Sequence, residues 1–190
     1  MRHRERITMP ADRFDAIPDV YPVLSAGDLL LREVESSDAP AWFRRFSDPL
    51  GALPQGSEVV ERLDEAADAI ASIRGLSHDK RILRWAIVPL GETAAAGTTG
   101  FNNFYVPDRR AEIGYGLDRA WWDRGIMTAA TQTAVAYGFE ALGLHRIEAH
   151  VRTDNLRSAR VLEHCGFEHE GVCATITSIK ARGRTTGCMG

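Results

Sequence analysis

The sequence predicts an α+β fold, and three observations carry the prediction. Two helical patterns follow one short apolar strand. Next comes a meander of antiparallel strands at 85–90 (WAIVPL), 97–104 (GTTGFNNF) and 112–117 (EIGYGL). The last of these feeds a glycine turn and a helix, and a second strand–helix step follows it. No linker separates two cores and no repeat recurs, so residues 28–190 read as one domain. Residues 1–27, with Pro10, Pro18 and Pro22 among mixed charges, read as an extension draped on it.

Composition narrows the classes. The chain has 190 residues, 44% of them hydrophobic, and a formal net charge of -3. That balance exerts no general pull toward nucleic acid or an anionic membrane. No apolar run approaches the ~20 residues of a membrane span, and the charged start MRHRERITMPADRF lacks the apolar core of a secretory signal. Cys165, Cys173 and Cys188 contain no CxxC pair. They read as reduced thiols in a cytoplasmic protein, with no metal site.

Each element has its own reason. Residues 28–34 (DLLLREV) form an apolar run suited to a first strand. Ser36, Ser37 and Asp38 offer an N-cap, Pro40 suits a first helical turn, and Trp42, Phe43 and Phe46 give that helix its apolar side. Residues 48–56 read as a Pro/Gly loop. From Glu58 the positions Val59, Leu63, Ala66, Ile70 and Ile73 step by four, three, four and three, and Gly75 is expected to stop the helix.

Within the 112–117 strand, Ile113, Tyr115 and Leu117 fall on one face, with Glu112, Gly114 and Gly116 on the other. The two glycines leave bare backbone that another chain or ligand can approach. Arg124 and Gly125 then lead into a helix marked by Met127, Ala130, Ala134, Tyr137 and Ala141, which Gly143 ends. A glycine turn feeding a helix presents unpaired N–H groups and the positive end of the dipole, a seat for phosphate. Residues 146–151 alternate as a strand. Thr153, Asp154 and Asn155 cap a last helix with Ala159, Leu162 and Cys165 inward, closed by Gly166.

The stretches GTTGFNNF, RRAEIGYGLDRAWWDRGIMTAA and GLHRIEAHVRTDNLRSARVLEHCGFEHEGV, in that order and spacing, resemble the GNAT N-acetyltransferases and, within them, the RimJ/RimL-like subgroup. The resemblance covers roughly residues 28–172. It implies the GNAT fold: a mixed, mostly antiparallel sheet whose central strands splay apart, with helices on both faces. It implies acetyl-CoA as co-substrate, Leu117 and its neighbours pairing with the pantetheine arm as an added strand would, and the N–H groups of Gly125, Ile126, Met127 and Thr128 holding the pyrophosphate. Two departures stand out. Asp123 occupies a position that is usually small in the family, where its carboxylate opposes a pyrophosphate unless it turns outward or Arg124 offsets it. Residues 171–190 lack the usual aromatics; a hairpin of 175–180 with 185–189 competes there with a disordered tail.

The same resemblance assigns Asn155 to a pantetheine amide and Ser158 to the departing sulfur, since no tyrosine follows Tyr137. The competing reading is that both cap the helix. Glu112 is the candidate base, with a pKa raised by partial burial, or else a strand glutamate paired with Arg109 or Arg110. His150 can reach the site from its strand face, whereas His145 and His164 are expected at helix ends in water. The expected acceptor is a primary amine: a protein N-terminal α-amine, or a small molecule such as an antibiotic, a polyamine or an aminoacyl conjugate. A non-catalytic CoA-binding module is the alternative of a different class. The chain is expected to be a monomer or homodimer.

Overall fold

The computed structural model describes residues 13–53, 57–173 and 176–182. They form an eight-stranded sheet of β1 (Leu24–Ala26), β2 (Leu29–Glu33), β3 (Leu83–Pro89), β4 (Gly97–Tyr105), β5 (Arg110–Leu117), β6 (Arg146–Arg152), β7 (Glu168–Cys173) and β8 (Ile176–Arg182). The spatial order is β1-β2-β3-β4-β5-β6-β8-β7. Every neighbouring pair is antiparallel except β5 and β6, which run parallel.

That parallel pair positions the site. Its ladder extends only from Arg110↔Arg146 to Glu112↔Glu148. Beyond it, 113–117 of β5 and 149–152 of β6 diverge and line facing walls of one cavity. The splay is thus a ladder that stops while both strands continue.

Period-two alternation sorts the core. Leu83, Trp85 and Ile87 of β3 belong to the larger apolar cluster, together with Ala130 and Ala134 of α4 (Ile126–Glu140) and Leu162 of α5 (Leu156–His164). Ala86, on the opposite face, joins Val34, Ala39 and Ile70 in a smaller cluster under α1 (Ala39–Ser47) and α3 (Leu63–His78), with the short α2 (Pro49–Ala52) beside α1. Helices therefore cover both faces.

Several boundaries differ from expectation. α3 begins at Leu63, not Glu58: Glu65 accepts the backbone N–H groups of Glu61 and Arg62 and so sets the entry. It runs through Gly75 to His78, because one helical glycine costs only about 1 kcal/mol. Asp38 is buried and bonded to Arg32 at 2.8 and 2.9 Å; it makes no side-chain cap bond to α1. Within the segment read as a draped extension, Phe14 and Ile17 are buried in the core and β1 joins the sheet. Phe14 stacks on Phe104 at 4.7 Å, Trp85 donates to the Pro22 carbonyl at 2.7 Å, and β1 pairs with β2.

The C-terminal hairpin also has a different register. β8 pairs with β7 and inserts beside β6, so residues 168–173 and 176–182 complete the sheet, and Ala181 lies in a strand where a turn was expected. The second expected strand, 185–189, lies outside the described residues. No helix among the described residues is long and apolar enough to cross a membrane.

Candidate active site

The splay opens into a cavity of about 870 Å³. All nine candidates from the sequence line it: Glu112 and Leu117 from β5, Arg124, Gly125, Ile126, Met127 and Thr128 from the glycine turn and α4, and Asn155 and Ser158 from the start of α5.

At one end Gly125 caps α4 with φ 73°, and a Cβ there would meet nothing within 4 Å. The left-handed conformation explains the glycine, and the open space fits a bound phosphate. The first helical bond runs from Ala129 N–H to the Gly125 carbonyl, at 3.1 Å. The N–H groups of Ile126, Met127 and Thr128 lie ahead of it, and no acidic residue sits in this first turn. The side chains of Ile126 and Met127 are buried, so these residues offer backbone to the cavity. Together these features fit a pyrophosphate.

Asp123 sits at the cavity rim. It holds φ 60° and pairs with Arg157 of α5 at 2.7 Å, both side chains exposed. Arg124, the counter-charge expected from sequence, lies over the Trp121 ring instead, 4.9 Å from its centroid. Arg157 offsets the carboxylate because α5 brings it alongside, and sequence distance concealed that. Trp122 donates to the Leu117 carbonyl at 3.0 Å, tying the turn back to the end of β5.

Ser158 meets a tyrosine that a search of the chain's end passes over. The Tyr115 hydroxyl lies 2.8 Å from Ser158 Oγ and donates to the Ser158 carbonyl at 2.9 Å. Burial raises the Tyr115 pKa well above its ordinary value, so the phenol stays protonated. Alternation along β5 already turned Tyr115 toward the α5 face. Asn155 Oδ1 accepts the Ser158 N–H at 3.1 Å, so the capping bond forms and Asn155 still lines the cavity.

Glu112 sits where the β5–β6 ladder ends. Asn103 donates to its Oε2 at 2.9 Å, and His150 Nδ1 lies 3.4 Å from its Oε1. Burial pushes the Glu112 carboxyl up, but the hydrogen bonds from His150 and Asn103 outweigh it and the net shift is downward. The expectation of a raised Glu112 pKa is therefore overturned, because partners on β4 and β6 reach the carboxylate. The Glu112 hydrogen bond raises His150. The expected Arg110 partnership goes elsewhere, to Glu148 at 2.5 Å. His164 is exposed at the end of α5, as expected, at the cavity rim; His145 is exposed too, but lies just ahead of β6 and not at a helix end.

On the α1/α3 face the cavity is lined by Trp42, Phe46, Ile73, Arg84 and Asn102. Sequence reasoning missed Arg84 and Asn102. The strand read as 85–90 begins at Leu83 and so takes in Arg84, a lone cation among apolar residues. Asn102 is re-aimed by a bulge, where the β4–β5 register slips between Phe101 and Asn103.

Comparison with known proteins agrees with this geometry. Residues 28–168 match the family model for the acetyltransferase (GNAT) domain. An uncharacterized N-acetyltransferase, YoaA of Bacillus subtilis, is 38% identical over 153 residues, covering 80% of this chain and 86% of that protein. The Escherichia coli [ribosomal protein uS5]-alanine N-acetyltransferase is 36% identical over 59 residues, 31% of this chain and 30% of that enzyme. Among solved structures, Mycobacterium smegmatis RimJ in complex with CoA-disulfide superposes with a TM-score of 0.78 at 27% identity, covering 89% of this chain and 91% of that one. With its diverging central strands and glycine-capped helix, the chain belongs to the GNAT family of N-acetyltransferases.

Proposed function

We propose that the chain moves the acetyl group of acetyl-CoA directly to a primary amine, with a protein N-terminal α-amine as the favoured acceptor. The observation that carries this reading is the free edge of β5 past Glu112, with the α4 N-terminus at its end and Ser158 beside it. Similarity to RimJ and to the Escherichia coli alanine N-acetyltransferase supports the choice of acceptor.

In this reading the N–H groups of residues 125–128 hold the pyrophosphate, and the edge at 113–117, which no strand pairs and whose Leu117 carbonyl alone is taken by Trp122, receives the pantetheine amides as a neighbouring strand would. Asn155 adds a polar group beside that arm. A backbone N–H near Leu117 donates to the thioester oxygen as negative charge develops there. The amine enters from the α1/α3 side, its nitrogen bonds to the carbonyl carbon, and its proton leaves through the His150–Glu112 pair. As the C–S bond breaks, the Ser158 hydroxyl swings its proton from Tyr115 Oη to sulfur, while Tyr115 keeps its own bond to the Ser158 carbonyl.

Thiol release from acetyl-CoA with a panel of peptide and small amines is the test. Release that depends on the amine is expected; CoA binding without amine-dependent release makes the protein a binding module. Ser158→Ala is expected to lower kcat roughly ten- to a thousandfold and leave the acetyl-CoA Kd within a few-fold, since the hydroxyl acts as charge grows on sulfur. Wild-type kcat at saturation, with chemistry rate-limiting, removes Ser158 from the proton path.

A further inference from the structure

Alternation along β3 sends Arg84 to the α1/α3 face, opposite Leu83 and Trp85. Across the sheet, Arg84 pairs with Gly100, and Gly100 with Gly114. Neither glycine has a side chain to fill the surface beside it. A Cβ on Gly114 would come within 2.3 Å of Asn102 Nδ2 and 3.2 Å of Arg84 Nη2. The bare strip is therefore a trough that holds a guanidinium and a carboxamide side by side on the cavity wall.

This guanidinium is unanswered. Among the described residues the Arg84 side chain makes no hydrogen bond or ion pair, and its Nε is buried without a partner. Behind it lies a second cation in a similar state. Arg45 is 4% exposed, and its Nε and Nη2 have no partner. Its Nη1 donates to the Gly116 carbonyl at 3.0 Å, and its plane rests against Trp42 and Phe46. The nearby Asp118 is taken by Arg44 at 2.6 Å. Glu112, the carboxylate that Arg84 feels through space, is bonded to Asn103 and paired with His150. A buried and a half-buried guanidinium thus face two carboxylates, Asp118 and Glu112, that are both already engaged, and buried charge without a partner is costly. Burial pulls Arg84 down to about 10 and Arg45 to about 9, both still cationic at neutral pH.

We infer that Arg84 and Asn102, backed by the charge of Arg45, form an anion subsite for the acceptor, so that the preferred amine carries a carboxylate or phosphate. This rests on the reading of the cavity as an acetyl-transfer site. The spacing narrows the class further. Arg84 lies over Gly114, three strand residues before Leu117, about 10 Å at ~3.4 Å per residue. The anion then sits several bonds from the reacting nitrogen. A peptide N-terminus with an acidic side chain among its first residues meets that spacing, as does an extended amine bearing a terminal phosphate. A free α-amino acid, with its carboxylate next to the amine, does not.

The test compares acceptor pairs that differ in the anion alone: Ala-Asp amide against Ala-Asn amide, a phosphorylated amino alcohol against its parent, and glycine against glycinamide as the short-spacing control. Wild-type protein is expected to favour the Asp peptide or the phosphorylated amine by roughly tenfold or more in kcat/KM, as a charged hydrogen bond commands. Which of the two pairs responds identifies the source of the anion, while the glycine pair stays within a few-fold. Arg84→Gln is expected to erase the preference through KM, with turnover of the neutral partner and the CoA Kd within a few-fold; Arg84→Lys retains part of it. Equal rates for both members of every pair in the wild type overturn the proposal without need of any variant, as does an equal loss on both members in Arg84→Gln. If no amine is acetylated, the transferase reading fails by itself. The subsite is then read by calorimetry of N-acetyl-Ala-Asp amide against N-acetyl-Ala-Asn amide on CoA-loaded protein, where equal binding overturns it.

Discussion

The pair of Glu112 and His150, 3.4 Å apart, makes the site sensitive to pH at the scale of single residues. The Glu112 hydrogen bond raises His150 above its ordinary 6.5. Its contribution to stability is fully present below pH 6.5 and is lost as pH rises through the higher folded value. Glu112 behaves oppositely: burial lifts it, His150 and Asn103 lower it further, and the net is below 4.5. Its contribution is present above pH 4.5 and is lost as pH falls through the lower folded value. Melting temperatures of wild type and His150→Gln, measured from pH 5 to 8.5, are expected to converge as pH rises past the His150 pKa. Parallel curves across that range show that the pair carries no linked proton. The Glu112 side of this couple was visible from its strand face; the identity of the partner that reverses its pKa was not, because it comes from β6 across the end of a ladder.

At the scale of elements, two helical glycines make opposite predictions. In α3 a Cβ on Gly75 meets nothing within 4 Å. Gly75→Ala is therefore expected to stabilise the fold by about 0.5–1 kcal/mol, mainly by reducing freedom in the unfolded chain. In α4 a Cβ on Gly138 would lie 2.7 Å from the Phe101 ring and 3.0 Å from Ile147 Cδ1. Both residues are fully buried. Gly138→Ala is expected to destabilise by roughly 1–3 kcal/mol from overpacking, more than offsetting the ~1 kcal/mol helical gain. Urea unfolding of the two variants checks this, and equal signs refute it. Gly75 looked like a stop because a glycine after a periodic run usually caps. The helix ends instead at His78, followed by Lys80 at φ 56°.

At the scale of the whole molecule, the segment before β2 closes the sheet's far side. Phe14 is 5% exposed and stacks on Phe104, which itself tilts against Phe101 in the main cluster. Phe14→Ala is expected to cost about 3–5 kcal/mol, as truncation of a buried aromatic does, with the denaturant midpoint lowered and its slope unchanged. A loss under about 1 kcal/mol would mean that the segment lies on the core without supporting it. The sequence shows mixed charges and prolines here, with no period, because 13–23 pack through isolated residues and not through a regular element.

What the sequence by itself determined are the local regularities: the order of helices and strands, the alternation that put Tyr115 and Glu112 on opposite faces of β5, and the glycine turn that opens α4. Each depends on residues within a turn or two of one another, so periodicity and caps are enough to read them. The tertiary structure alone decided where the β5–β6 ladder stops, which tyrosine meets Ser158, which arginine answers Asp123, and that Arg84 answers to no carboxylate. These are meetings between side chains on different strands and helices. Strand register and helix placement set them, and both emerge from burying the two apolar clusters together, with no trace in the spacing of the residues involved.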